Sequence, residues 1–332
     1  MRVKTCFCLL AVALLLSTVV LAQSPKIQLK EGKYQIEVLV NGKPFTSYLF
    51  APDPAKPLIA PGILQTKPVL HPVLSPSGIA MTRAYPFADV AGEARDHPHH
   101  MGIYFTMDRV GSDANNFWGN SKEPLPEIKH VKVTGKKDGT GSAVLKTASD
   151  WIGKDGKPVV TENREMVFMV LDPSTYAIDF TMYLEPVSGD VSFGDTKEGM
   201  FAFRVAQFLT EKATGRYLNS EGAELEKGVW GKRANWVRLQ GETDGKKVGI
   251  VILNHPTSTN SPTYWHARGY GCFSVNPLGQ LDFQKELKVP DPKPFDLKVK
   301  QGQKALFKYR VIVYEGDFGK DKVDALYQAY AK

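Results

Sequence analysis

Asp96-His97-Pro98-His99-His100 gathers three of the chain's seven histidines within four consecutive residues and sets a carboxylate directly before them. Imidazole donates, accepts or ligates a metal near neutral pH, so this run is a candidate chemical site. Met101-Gly102-Ile103-Tyr104-Phe105 reads as a short apolar strand, which puts the histidines at its lead-in. Pro98 agrees, because it has no N–H to give to a sheet ladder. An extended lead-in points His97 and His99 to one side, roughly 6 to 7 Å apart, with His100 opposite. Proton transfer needs an acid or base and a group opposed to it. His97, His99, His100 and His266 supply the imidazole, and Asp96 or Glu198 the carboxylate. The other chemistry open to this run is a divalent transition metal, Zn, Cu or Fe, held by His97, His99 and His100, although no spacing matches an established ligand signature.

Further segments carry residue types that binding sites use at strand ends. Sugars need flat aromatic faces for their C–H surfaces and planar cations for their hydroxyls. His71, Arg83, Trp118, Arg204, Trp230, Lys232, Arg233, His255, Trp265 and Arg268 are that equipment, and they make a small-molecule or oligosaccharide substrate the expected partner. Each has a plainer role beside this one. The tryptophans serve equally as core or rim packing, His255 as a loop-fixing donor before Pro256, and Glu198 as the counter-charge of Arg204. Cys272, between Gly271 and Phe273, fits a small buried hydrophobe better than a nucleophile. Gly269 and Gly271 lack the third glycine and following helix of a dinucleotide loop, so no nucleotide cofactor is expected.

The elements that must position these residues are mostly strands. Tyr34 to Val40, Asn41-Gly42 and Lys43 to Phe50 form a hairpin signal, since Asn-Gly supplies the positive φ values of a type I′ turn. Tyr176, Ile178, Phe180, Met182 and Leu184 repeat at every second position, as a strand with one face in a core must. Further strands are expected at 142–151, 159–171, 201–208, 248–254, 273–276 and 306–314. The clearest helix closes the chain, with Asp321 as cap and Val323, Leu326, Tyr327 and Tyr330 on one face. These elements predict an all-β fold, a large antiparallel β-sandwich of the supersandwich kind with few helices. The Pro-rich stretch 52–61 reads as a crossing loop.

Arg2 and Lys4 precede the apolar run Cys6 to Val20, and Val20-Leu21-Ala22 offers a cleavage site, so residues 1–22 read as a secretory signal peptide and 23–332 as one domain. The expected address is the periplasm or the medium. Nothing after residue 22 approaches the roughly 18 apolar residues of a membrane helix. Removing Arg2 and Lys4 from the 42 basic residues leaves 40 against 35 acidic ones, a mild net charge of +5 without a basic stripe, which disfavours nucleic acid as a partner.

Several motifs together resemble one known family. His71-Pro-x-x-Ser-Pro-Ser-Gly, Gly92-Glu-x-Arg-Asp-His-Pro-His-His100 with Gly102, and Phe117-Trp118-Gly119 come first. Glu198-Gly199, Ser220-Glu-Gly to Trp230-Gly-Lys-Arg-Ala234, and Asn254-His255-Pro256 to Trp265-His266-x-Arg268 follow in order. The chain is similar here, from about Pro61 to the last strands, to the PmoA-like family, labelled methane oxygenase PmoA. Methane oxidation is not carried over, because a membrane subunit would need apolar spans that this sequence lacks. The resemblance implies a carbohydrate substrate by association. Three functions therefore stand: an exported carbohydrate-active enzyme of the lyase, hydrolase or epimerase kind using His and carboxylate chemistry, a histidine-ligated metalloenzyme, and a non-catalytic sugar-binding protein. A paired-carboxylate hydrolase is the weakest of the enzymes, because no two acidic residues stand out as its pair.

Overall fold

The computed structural model describes residues 24–112, 114–120 and 124–332. The signal-peptide segment 1–22 lies outside the described residues. Alternating burial along Thr175–Pro186, with Ile178, Phe180, Met182 and Leu184 all buried, shows how most strands form: one face goes to a core, as period-2 patterning requires. Asn41 and Gly42 take φ of 50° and 77° and join Gln35–Val40 to Lys43–Leu49, the expected hairpin.

Two large antiparallel sheets result. The ten-stranded sheet runs Arg233–Ala234, Thr263–Ala267, Cys272–Asn276, Gly199–Arg204, Ile103–Met107, Val69–Val73, Lys43–Leu49, Gln35–Val40, Lys26–Glu31 and Gly139–Thr140. The eight-stranded sheet runs Arg216–Asn219, Trp236–Thr243, Lys246–Asn254, Ala305–Glu315, Thr175–Pro186, Pro158–Asp172, Ser142–Ile152 and Glu127–Lys137. A two-stranded ribbon, Val191–Phe193 with Leu297–Val299, completes the β-structure among the described residues. The sheets bury their facing sides together: Phe201 packs on Phe180 and Tyr309 across the interface, and Phe105 on Phe307. This is the large β-sandwich expected.

Each outer face is also covered. On the smaller sheet the helix Lys320–Tyr330 buries Val323, Tyr327 and Tyr330 against Trp236, Val251, Leu253 and Ile312. Its N-cap is Gly319 and Asp321 sits in the first turn, which moves the helix start two residues earlier than the sequence suggested. The strand expected at 201–208 ends at Arg204, because Gln207–Leu209 turns into a short 3₁₀ helix.

The outer face of the larger sheet carries the candidate site. Val69, Tyr104, Ala202, Ser274 and His266 are directly paired from strand to strand, so they form one row across five strands on one face. Phe105, Phe201, Val275 and Trp265 form the next row and face the core. Loop residues Met101, Trp118, Leu58, Ile63, Phe87 and Tyr270 pack over the outer face.

Gly102 fixes how the histidine segment reaches this sheet. It adopts φ +59°, and a Cβ there would stand 2.2 Å from the Leu70 carbonyl oxygen, so the strand starts at Ile103. Gly102→Ala is expected to cost about 2–4 kcal/mol, read from the urea midpoint, because neither the backbone angle nor the Leu70 carbonyl can yield cheaply. A loss below about 0.5 kcal/mol would refute this placement of the segment.

Candidate acid–base site on the outer sheet face

Asp96 to His100 closes as a turn and is not the extended lead-in expected from sequence. The His100 N–H donates to the His97 carbonyl at 3.0 Å, and His97 takes φ +41°. The cause is Arg83, whose side chain is only 2 % exposed. Its guanidinium donates to the carbonyls of Ala94 (3.1 Å), Asp96 (2.7 Å), His97 (3.0 Å) and His100 (3.3 Å), while its Nε donates to Tyr85. Four carbonyls aimed at one buried cation oblige the chain to curl around it.

The same cation and Arg204, also buried, both donate to Asp96 Oδ1. The other carboxylate oxygen lies 3.0 Å from His97 Nδ1. Burial alone pushes the Asp96 carboxyl up, but the His97 ring N–H, Arg204 and Arg83 outweigh it and hold the group well below the usual carboxylate range. Asp96 is therefore a fixed anion. It holds the proton of His97 on Nδ1 and leaves Nε2 as a free acceptor, the arrangement by which a carboxylate orients a catalytic imidazole.

The three histidines divide by environment. His97 is exposed and stacks on Tyr270, with ring centroids 5.0 Å apart. On its other neighbour, His100, it also stacks at 5.0 Å. His100 is buried against Tyr104 and Trp118, with no partner for either ring nitrogen. Burial lowers His99 to about 3 and holds His100 well below its ordinary value. Both are neutral at physiological pH.

Lys67 joins this group without any sequence signal. It is 3 % exposed, its Nζ donates to the Trp118 carbonyl at 3.1 Å, and it lies 5.3 Å from the Tyr104 ring centroid. Burial lowers its amine to about 7.

Glu198 directly precedes the strand Gly199–Arg204, close enough to His97 for the two charges to affect each other. It is half-buried with no ion pair or side-chain hydrogen bond, and desolvation raises its carboxyl. Tyr270, at the tip of the hairpin between Thr263–Ala267 and Cys272–Asn276, receives the Arg204 guanidinium at 4.9 Å and that of Arg268 at 5.6 Å. Arg268 pairs with Glu226 at 2.7 Å and lies 5.7 Å from the ring of Trp230. The Trp230 indole N–H donates to His266 Nδ1 at 3.4 Å, which leaves the His266 proton on Nε2. His97, Tyr270, Arg268 and Trp230 thus form a partly exposed wall of flat surfaces.

Of the residues expected from sequence, the structure gathers Asp96, His97, His99, His100, Trp118, Arg83, Arg204, Glu198, Trp230, His266 and Arg268 around this face. It places others elsewhere. Trp265 is fully buried in the core and donates to the Ala234 carbonyl. Arg233 binds Asn260, Pro262 and Gln280, which consumes its donors in a loop. His255 holds Thr257 and packs on Tyr330 of the terminal helix, and Lys232 is exposed. His71 stacks on Phe87 beside a separate cavity. Cys272 is buried, and desolvation pushes its thiol up to about 11. Lys67, Tyr104 and Tyr270 were not anticipated, although an aromatic between Gly269 and Gly271 marks a turn that displays one side chain. Among the described residues no three His, Cys, Asp or Glu side chains are grouped to hold a metal ion. His97 and His100 stack face to face, so their in-plane lone pairs do not converge.

The fold and site define an antiparallel β-sandwich with a histidine–carboxylate cluster on the outer face of its larger sheet. The chain belongs to a family of unknown function, DUF6807, whose model matches residues 35–328. No curated protein matches it in sequence. The solved structure of a GalM/aldose epimerase homologue from C. elegans aligns with 89 % of this chain and 100 % of its own, at 7 % identity and a TM-score of 0.34. No helix among the described residues is long and apolar enough to cross a membrane.

Arg83→Lys is expected to cost about 3 kcal/mol and to speed amide exchange at 94–100, because an ammonium cannot serve four carbonyls and a carboxylate from one place. Unchanged exchange at 94–100 would refute the role given to Arg83. Stability should also fall as pH drops below about 6.5, the ordinary imidazole value. Burial lowers His71, His99 and His266 to about 3 and holds His100 well below its ordinary value, so the unfolded chain takes up protons that the folded chain refuses. Asp96 acts in the same sense at lower pH, since its folded carboxyl is depressed and its contribution is lost on acidification. Urea midpoints between pH 7 and 4.5 measure this, and a flat profile would contradict the buried, neutral state of these rings.

Proposed function

We propose that this protein is an enzyme that acts on a sugar by proton transfer, with His97 and Glu198 as its acid–base pair. The observation that carries the reading is Asp96, pinned by Arg83 and Arg204, holding the His97 Nδ1 proton and leaving Nε2 free, with the unpaired Glu198 within electrostatic reach of that ring. His97 Nε2 takes a proton from the substrate. Glu198, whose carboxyl desolvation raises, gives one at the opposite side, and the roles exchange in the reverse direction. Positioning falls to the wall of Tyr270, Arg268 and Trp230, where a ring's C–H face stacks on the aromatic surfaces and its hydroxyls meet the guanidinium.

Elimination across a glycosidic bond and epimerisation both need one such pair. Hydrolysis by two carboxylates is not supported, because Asp96 is committed to two guanidiniums and cannot serve as the second free carboxyl. We place the activity outside the cytoplasm on the strength of the N-terminal apolar segment. The order of motifs shared with the PmoA-like family is part of the same reading and adds no methane chemistry.

The test is proton NMR in D₂O, with aldoses, uronates and glycosides as substrates, read for anomer interconversion, loss of a C–H signal and release of an unsaturated sugar. His97→Ala and Glu198→Gln should each lower the rate about 100-fold or more, with unchanged circular dichroism. Turnover retained in both variants sinks the assignment, and so does its absence from all three substrate classes.

A further inference from the structure

A cavity of about 690 Å³ lies on the same sheet face as the acid–base site but shares none of its residues. Its floor is made by Gln35, Ser47 and Leu49 of adjoining strands, and its roof by the loop Ala51–Gln65. Its volume falls within the usual range for small-molecule sites. We propose that this cavity binds a neutral, flat aromatic molecule carrying a hydrogen-bond acceptor, with His71 as the donor that orients it.

Three features lead there. The roof holds Pro52, Pro54, Pro57 and Pro61, whose fixed φ makes it a preorganised cover that loses little entropy when a ligand enters. Leu49, Leu58, Ile63 and Phe87 give an apolar lining, while its charged residues, Asp53 and Lys56, are one of each sign and leave no net field to select an ion. His71, 9 % exposed, stacks on Phe87 with ring centroids 4.3 Å apart at 18°. Its Nδ1 is buried without a partner. A bare acceptor costs less there than a stranded N–H, so the ring carries its proton on Nε2. Burial keeps it neutral, with a value near 3, so it donates without presenting a charge. Nε2–H lies in the imidazole plane, so it is the directional contact for an acceptor on a flat ring set edge-on to His71 among Leu49, Leu58 and Ile63.

The probe is 2-naphthol, titrated by calorimetry into the full chain without any sugar. Saturable 1:1 binding is expected. Leu49→Trp and Ser47→Phe, two residues apart on the strand Lys43–Leu49 and both lining the cavity, should abolish it. Near-ultraviolet circular dichroism of each variant separates a filled cavity from an unfolded chain. His71→Phe keeps the stack, removes the donor and should weaken binding about fivefold, the worth of one hydrogen bond. His97→Ala should bind as the parent does. No saturable binding, binding that survives a folded filling variant, or binding lost in His97→Ala would each overturn the proposal. The last outcome would assign the probe to the acid–base site. Because no turnover is read, failure of the proposed reaction leaves this result standing.

Discussion

The Arg83 guanidinium is the constraint on which the site depends. Seventeen residues of chain separate it from His100, and its donors draw the Ala94, Asp96, His97 and His100 carbonyls to one buried point. Hydrogen bonds from a cation are worth about 1.5–3 kcal/mol each when desolvated, and here several share one cation that would otherwise be buried without compensation. The Asp96 carboxylate is about 38 % exposed, so its pairing with Arg83 is partly screened by water. The carbonyl contacts are therefore the larger part of what holds the turn, and the ion pair chiefly sets the charge beside His97.

The sheet below makes this arrangement possible. A β-sheet normally buries one face and wets the other, but the larger sheet here is covered on both. Its core face supplies rigidity through Phe105, Phe201 and Trp265. Its outer face supplies a straight row of positions from Val69 to His266, over which loops lay the histidines. Polar groups on that face sit in a low dielectric, which accounts for the depressed imidazoles of His99, His100 and His266 and the depressed amine of Lys67.

The same double coverage explains which parts were legible in the sequence. Thr175–Pro186 alternates and was read correctly, as was the Asn41-Gly42 hairpin, because its turn chemistry is local. Thr263–Ala267 and Cys272–Asn276 are buried at every position, so period-2 alternation vanishes and sequence could not tell that His266 faces the loops while Trp265 faces the core. The cluster Asp96 to His100 announced itself by composition. The role of Arg83, the outward aim of Tyr270 and the presence of Lys67 did not, since each is a tertiary contact with no local pattern. Arg233 and His255 resemble binding residues in type, yet the structure spends them on fixing loops.

Three adjacent histidines thus do not form one site with three equivalent members. His100, boxed in by Tyr104 and Trp118, and His99, half-buried beside Lys67, are held neutral, and a neutral ring in a dry pocket packs and accepts without exchanging protons near pH 7. His97 differs through two neighbours. Asp96 fixes its tautomer, and Tyr270 fixes its plane while leaving the ring exposed. Positive φ at His97 is the backbone condition for that display, because it turns the ring out of the curl that Arg83 imposes on the carbonyls. The proposed chemistry at the outer face accordingly rests on one imidazole, and the other two shape the floor from which it projects.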